Sequence, residues 1–183
     1  MSLNHTLLGF LNYGPQTGYD LKKHMDNSTQ FFWNARLSQI YPALKKMEES
    51  GFIISSIMPQ TGKPDKKYYM ITDTGRNELL SWLDEFPKEV SHNKAPEMLK
   101  VFFAGAMEKE KILNHLRHQL SLHQIQLRQY ETETKLYSEK IIEETGLEKD
   151  GIFWDMTRQF GEAYERMYIT WLQEAIETTE NKL

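Results

Sequence analysis

His115 and His118 stand three residues apart in a stretch dense with helix formers, a spacing that sets two imidazoles on one side of a helix. Such a pair could hold a metal ion with Glu108 or Glu110 as a helper, but no third ligand is clearly placed, and we read both as solvated helix histidines. Covalent chemistry has still less to work with. The chain has no cysteine, which removes disulfides, thiolate catalysis and cysteine-held zinc. Gly62-Lys63 lacks the upstream glycine of a phosphate loop, and neither a Gly-x-Ser-x-Gly elbow nor a His-Glu-x-x-His pair occurs. The expectation is a protein that is not an enzyme and takes no cofactor and no metal.

A different kind of chemistry is offered by Ser38, Gln39, Tyr41, Pro42, Lys45 and Lys46. At 100° per residue, Leu37, Ile40, Ala43, Leu44 and Met47 fall on one side of a helix running from about 37 to 50, and those six residues fall on or beside the other. Short donors near a helix N-terminus followed by two lysines suit a polyanion, through hydrogen bonds to base edges and ion pairs to phosphates. Tyr41 fits two roles, a half-buried packing ring or a contact, because a phenol can serve core and surface together. Pro42 is tolerable because it lies close to the helix start.

The elements that would position this face can be read around it. Leu7 to Leu11 form a short apolar helix ending before Gly14-Pro15. Thr17 and Asp20 have the spacing of a capping box for a second helix carrying Leu21 and Met25. The third helix stops at Gly51, which suits a left-handed cap. Residues 52–57 and 67–71 are rich in β-branched and aromatic types and are separated by Pro59, Gly62 and Pro64, which predicts a hairpin with a long tip bearing Lys63, Lys66 and Lys67. Thr72 can cap a fourth helix whose apolar face is Leu79, Leu80, Trp82, Leu83 and Phe86. Three helices and a hairpin in that order is the layout of a winged helix-turn-helix, with the third helix sized for the major groove of duplex DNA and Lys63, Lys66 and Lys67 of the hairpin placed to neutralise phosphates.

Length, composition and charge agree with a core and an appendage. The 183 residues are 39% apolar and 26% charged, ordinary for a folded protein. The net charge is −4, yet residues 1–86 carry equal numbers of acids and bases, so the whole excess lies in the second half. No apolar run reaches the roughly 20 residues of a membrane span and no secretory start is present, so the expectation is cytoplasmic, with no membrane partner. We expect a winged-helix domain over 1–86, a linker over 87–95 and a helical dimerisation domain over 96–183. The fold class is mainly α with a small β-hairpin.

Residues 108–145 lack glycine and proline and predict one long helix. Leu116, Leu120, His123, Leu127, Tyr130, Thr134, Tyr137 and Ile141 recur at spacings of four and three, a coiled-coil seam. A last helix over about 150–180 has a broad apolar face that includes Phe160, Met167 and Trp171. We expect these two helices to pack antiparallel within the chain and the remaining apolar surface to make a homodimer, with Leu116, Leu120, Leu127, Tyr137, Ile141, Phe160, Met167 and Trp171 as dimerisation residues, which would present two reading helices about one DNA turn apart, ~34 Å, to a pseudo-palindromic operator. Trp82, Met98, Phe102, Phe103 and Tyr164 could line an apolar effector cavity between the two parts.

The run Leu7-Leu8-Gly9-Phe10-Leu11, Gly18-Tyr19-Asp20-Leu21, Ser38-Gln39-Ile40-Tyr41-Pro42-Ala43-Leu44, Glu48-Glu49-Ser50-Gly51-Phe52-Ile53, Lys67-Tyr68-Tyr69 and Thr72-Asp73-Thr74-Gly75-Arg76 closely resembles the PadR family of regulators. The ending from Met167 to Leu172 resembles its longer-tailed subgroup. The resemblance implies a repressor with a winged helix tied to a helical dimerisation region and, in several members, release of DNA by a small molecule, for which a phenolic acid is a candidate. Where family members often carry a continuous basic run in the wing, this chain has Lys63-Pro64-Asp65-Lys66, which implies weaker phosphate affinity there. The alternative reading is a helical protein-interaction or ligand-sensing module that acts without DNA.

Overall fold

The computed structural model describes residues 2–62, 65–89 and 95–183. The chain divides into two compact units, Met1–Val90 and Ser91–Leu183.

The first unit opens with α1 (Ser2–Leu11), a two-residue strand β1 (Gln16–Thr17), α2 (Gly18–Asn27) and α3 (Leu37–Glu49). The capping box at Thr17 is complete: the Asp20 amide donates to the Thr17 hydroxyl and the Thr17 amide to the Asp20 carboxylate, each at 3.1 Å. The hairpin of β2 (Ile53–Met58) and β3 (Lys66–Ile71) is antiparallel, with Ile53 opposite Ile71 and Met58 opposite Lys66. β1 adds to its far side by pairing Gln16 with Tyr69, giving the order β1-β3-β2. α4 (Asp73–Asp84) follows, capped by the Thr72 hydroxyl, which accepts from the Gly75 amide at 3.1 Å.

Leu7, Leu8, Leu11, Leu21, Met25, Ile40, Leu44, Met47 and Ile53 are fully buried together. Each such side chain is worth about 1.5–3 kcal/mol of transfer free energy, enough to fix three helices against one another and against the sheet. Gly75 sits where this packing is tightest, since a Cβ there would fall 2.1 Å from the carbonyl oxygen of Phe52. The face expected on α4 is a correction. Only Leu79 is buried; Leu80, Leu83 and Trp82 are exposed, and Phe86 lies beyond the helix end with 89% of its surface open. The small core is filled by α1 to α3 and needs only one leucine from α4.

The second unit consists of α5 (Pro96–Phe102), a short 3₁₀ turn (Ala104–Ala106), α6 (Lys109–Gln129), a wide π turn (Tyr130–Thr134), α7 (Lys135–Thr145) and α8 (Glu148–Lys182). α8 is about 52 Å long at 1.5 Å per residue. It runs antiparallel to α6 and α7: Arg117 bonds Glu180 at 2.7 Å, His123 meets Glu165, Arg166 pairs with Glu131, and a Cβ on Gly151 would touch Ile142. Gly146, with φ at 69°, turns the chain between them.

Two expectations change here. The helix over 108–145 is interrupted by the π turn, because the Tyr130 ring is buried over Gly161 of α8, where a Cβ would lie 2.3 Å from its Cζ. Of the residues assigned to the dimer, Leu116, Leu120 and Trp171 are taken up in packing α6 against α8 of the same chain. Leu116 is only 3% exposed and shares a core with Ile112 and Leu172, while Leu120 and Trp171 pack on that core. Leu127, Tyr137 and Ile141 are half-buried. Phe160 and Met167 remain open, Phe160 with 70% of its surface exposed.

Candidate nucleic-acid interface

α3 is closed at both ends. Gln39 Oε1 accepts from the Arg36 amide at 2.9 Å at its start. At its end Gly51, with φ at 74°, donates to the Glu48 carbonyl and Phe52 donates to the Met47 carbonyl, both at 3.0 Å. That pair of bonds is a Schellman closure and satisfies carbonyls that would otherwise be orphaned. Ile40, Leu44 and Met47 point into the core, whereas Ser38, Gln39, Tyr41, Pro42, Lys45 and Lys46 are exposed.

Tyr41 does both of the things its sequence position allowed. Its ring lies on Gly18 at the start of α2, where a Cβ would come within 2.7 Å of Tyr41 Cε1, yet 48% of its surface is open. The Gln39 amide oxygen is spent on the helix cap. Lys45 approaches Glu49 only to 3.9 Å with both side chains exposed, a contact worth a few tenths of a kcal/mol at most, so its ammonium is available.

Lys67 stands differently from the sequence expectation of a free phosphate cation. Its ammonium donates to Glu48 Oε2 at 2.9 Å and lies 5.1 Å over the Tyr69 ring, while Glu48 also accepts from the Ser55 hydroxyl. These bonds from Ser55 and Lys67 hold the Glu48 carboxyl below its ordinary range, and Glu48 raises the Lys67 ammonium above its own. The cluster ties the middle and outer part of the hairpin to the last turn of α3. Lys66, one residue outward, is exposed. Lys63 lies outside the described residues. Sequence reasoning passed over Arg36, exposed at the N-cap of α3, although a cation directly before a candidate reading helix is a visible signal.

The proposed effector residues are placed as follows. Trp82 stacks on His5 at 4.7 Å; Phe102 and Phe103 meet edge to face at 5.0 Å; Tyr164 lies 5.6 Å from Tyr168; Met98 is partly exposed. A cavity of about 520 Å³ in the second unit lies among the 3₁₀ turn, α6 and the C-terminal turns of α8, and none of these five residues lines it. On α8 an outward row of Ile152, Phe153, Met156, Phe160, Tyr164 and Met167 is exposed. No helix among the described residues is long and apolar enough to cross a membrane.

Residues 7–81 match the transcriptional regulator PadR-like family, and residues 94–180 match the C-terminal domain of virulence activator alpha. The chain is 34% identical over 131 residues to the negative transcriptional regulator PadR of Bacillus subtilis, covering 68% of this chain and 69% of that one. Its fold superposes on B. subtilis PadR solved in complex with operator DNA, with a TM-score of 0.83, 27% identity and coverage of 98% and 99% of the two chains. The same regulator solved with p-coumaric acid gives a TM-score of 0.77 at 26% identity, covering 99% of this chain and all of the other.

Proposed function

Because the chain belongs to the PadR-like family of transcriptional regulators, we propose that it binds a pseudo-palindromic operator in duplex DNA as a homodimer and acts as a repressor released by a small aromatic effector such as a phenolic acid. The observation that carries this reading is the bare polar side of α3, set on a rigid apolar underside. Residues 1–86 are the reading domain, 87–95 the linker and 96–183 the dimerisation domain.

Ser38, Gln39, Tyr41 and Pro42 lead into the major groove, with Lys45 and Lys46 behind them. Arg36 and the hairpin residues Lys63 and Lys66 contact phosphates. Lys67, already engaged by Glu48, sets the angle of the hairpin against α3. The apolar row on α8, Phe160 and Met167 above all, meets its symmetry mate, since large exposed apolar patches on monomers are uncommon. The effector acts by linkage: a ligand that favours a spacing of the two reading helices that DNA does not accept must weaken DNA binding. The protein works in the cytoplasm and has no catalytic site.

Gel-shift titration against salt tests this. Affinity is expected to fall steeply with salt as phosphate contacts release counterions, and Lys45→Ala to reduce the log–log slope by about one. Binding indifferent to both salt and Lys45 would overturn the reading and leave the interaction-module alternative.

A further inference from the structure

Lys22 and Lys23 stand side by side on α2 and are placed differently. Lys23 is exposed, whereas only 23% of the Lys22 side chain is open. The Lys22 ammonium pairs with Asp26 one turn on and donates to Asn34 Oδ1 at 3.3 Å, in the segment that leads from α2 to α3. The same Asn34 oxygen accepts from the Ala35 amide at 2.7 Å. Ala35 is buried in the core of the first unit, and the next residue is Arg36, whose amide donates to Gln39. A continuous line of contacts thus runs from the middle of α2 to the first turn of α3. Residues 28–36 lie outside helix and strand. Toward their start the Phe32 and Trp33 amides turn back to the Thr29 carbonyl, at 3.1 and 2.7 Å. Toward their end it is Asn34 that is held, by Lys22.

We propose that Lys22 is a positioning residue for DNA reading: engaged by Asp26 instead of a phosphate, it fixes Asn34 and with it the angle at which α3 enters the major groove. The inference rests on the DNA-reading part of the proposal above. Leu21 and Met25 of α2 share a core with Ile40 and Leu44 of α3. Apolar burial is non-directional and constrains the rotation of α3 about its axis less than a hydrogen bond does, because a hydrogen bond has a preferred angle. That rotation decides how Ser38, Gln39 and Tyr41 face the base edges.

The test is fluorescence anisotropy of the full-length protein with two duplexes of equal length, the genomic fragment most enriched by the wild type and a random sequence. Lys22→Met keeps the apolar stem and removes the ammonium, and Asn34→Ala removes the acceptor without changing charge. Each is expected to weaken binding to the enriched fragment about fivefold, since losing about one net hydrogen bond lowers the fraction of protein in the reading orientation by that factor. Binding to the random duplex needs phosphate contacts but no register, and should change less than about twofold with an unchanged salt slope. The double variant should lose no more than either single one, because both break the same link. If Lys22→Met does not fold, Asn34→Ala decides. The inference is overturned if both duplexes weaken equally, which is what a destabilised fold produces, or if either folded variant binds the enriched fragment as the wild type does. A salt slope reduced by about one in Lys22→Met also overturns it and makes Lys22 a phosphate contact. Wild-type protein that enriches no fragment and binds neither duplex removes the DNA reading itself, and this role of Lys22 with it.

Discussion

The two units solve the same packing problem and leave opposite surfaces behind. In the first, α3 buries Ile40, Leu44 and Met47 and exposes serine, glutamine, tyrosine and lysine. In the second, α8 buries Leu172 against Leu116 and exposes phenylalanines and methionines. A polar outward face can stay in water until a polyanion replaces the solvent. An apolar one has no such resting state and is satisfied by another protein surface. The difference teaches that the uncovered side of a helix, more than its buried side, separates a reading helix from an assembly helix.

The two units should also fail separately. Gly75→Ala forces a Cβ against the Phe52 carbonyl, a backbone atom that cannot step aside, and is expected to destabilise the first unit by about 3 kcal/mol. Gly161→Ala meets only the Tyr130 ring and should cost the second unit about 1–2 kcal/mol. Hydrogen exchange resolved along the chain checks this, and equal loss of protection in both units from either change would break the comparison.

Next in size is the apolar face. If Phe160 and Met167 meet their symmetry mates as proposed, Phe160→Glu with Met167→Glu places four like charges across that interface and should raise the dimer dissociation constant at least about 100-fold, some 2.7 kcal/mol, by sedimentation equilibrium. Tyr41→Ala should weaken operator binding about tenfold while leaving the sedimenting species unchanged, because half the ring is already outside the core. A Tyr41→Ala protein that loses its dimer or its fold would move that residue to the packing side.

The smallest expected effect sharpens the boundary between reading and scaffolding. Glu48 has a folded-state carboxyl held below its ordinary value of 4.5 by Ser55 and Lys67, so its contribution to stability is full above that value and is lost as pH falls through the lowered one. Glu48→Gln should flatten the acid limb of the stability profile in that window and change operator affinity only slightly. A large loss of DNA binding at neutral pH would instead make the Glu48–Lys67 bond part of the reading surface.

Much of the first unit was legible because its signals are local. The capping box at Thr17, the apolar spacing from Leu37 to Met47, Gly51 and the β-branched runs each act within a few residues. β1 was not legible: two residues have no periodicity, and only its pairing with β3 defines it. The bond between Glu48 and Lys67 joins residues nineteen apart, so two charges that look free in sequence are engaged in space. Along α6 the heptad pattern at Leu116 and Leu120 was visible, but a stripe does not name its partner, and the partner is the same chain's α8. The π turn depends on Gly161, thirty-one residues beyond Tyr130, and has no signal of its own.

The central claim is that the outward polar side of α3 and its symmetry mate read one duplex. Sequencing the genomic DNA retained by the purified protein, beside that retained by Tyr41→Ala, tests it most directly. The account predicts a single two-fold-symmetric motif with half-sites about one helical turn apart, ~34 Å, strongly depleted in the variant. Fragments without a shared motif, or the same motif retained equally by both proteins, would contradict it.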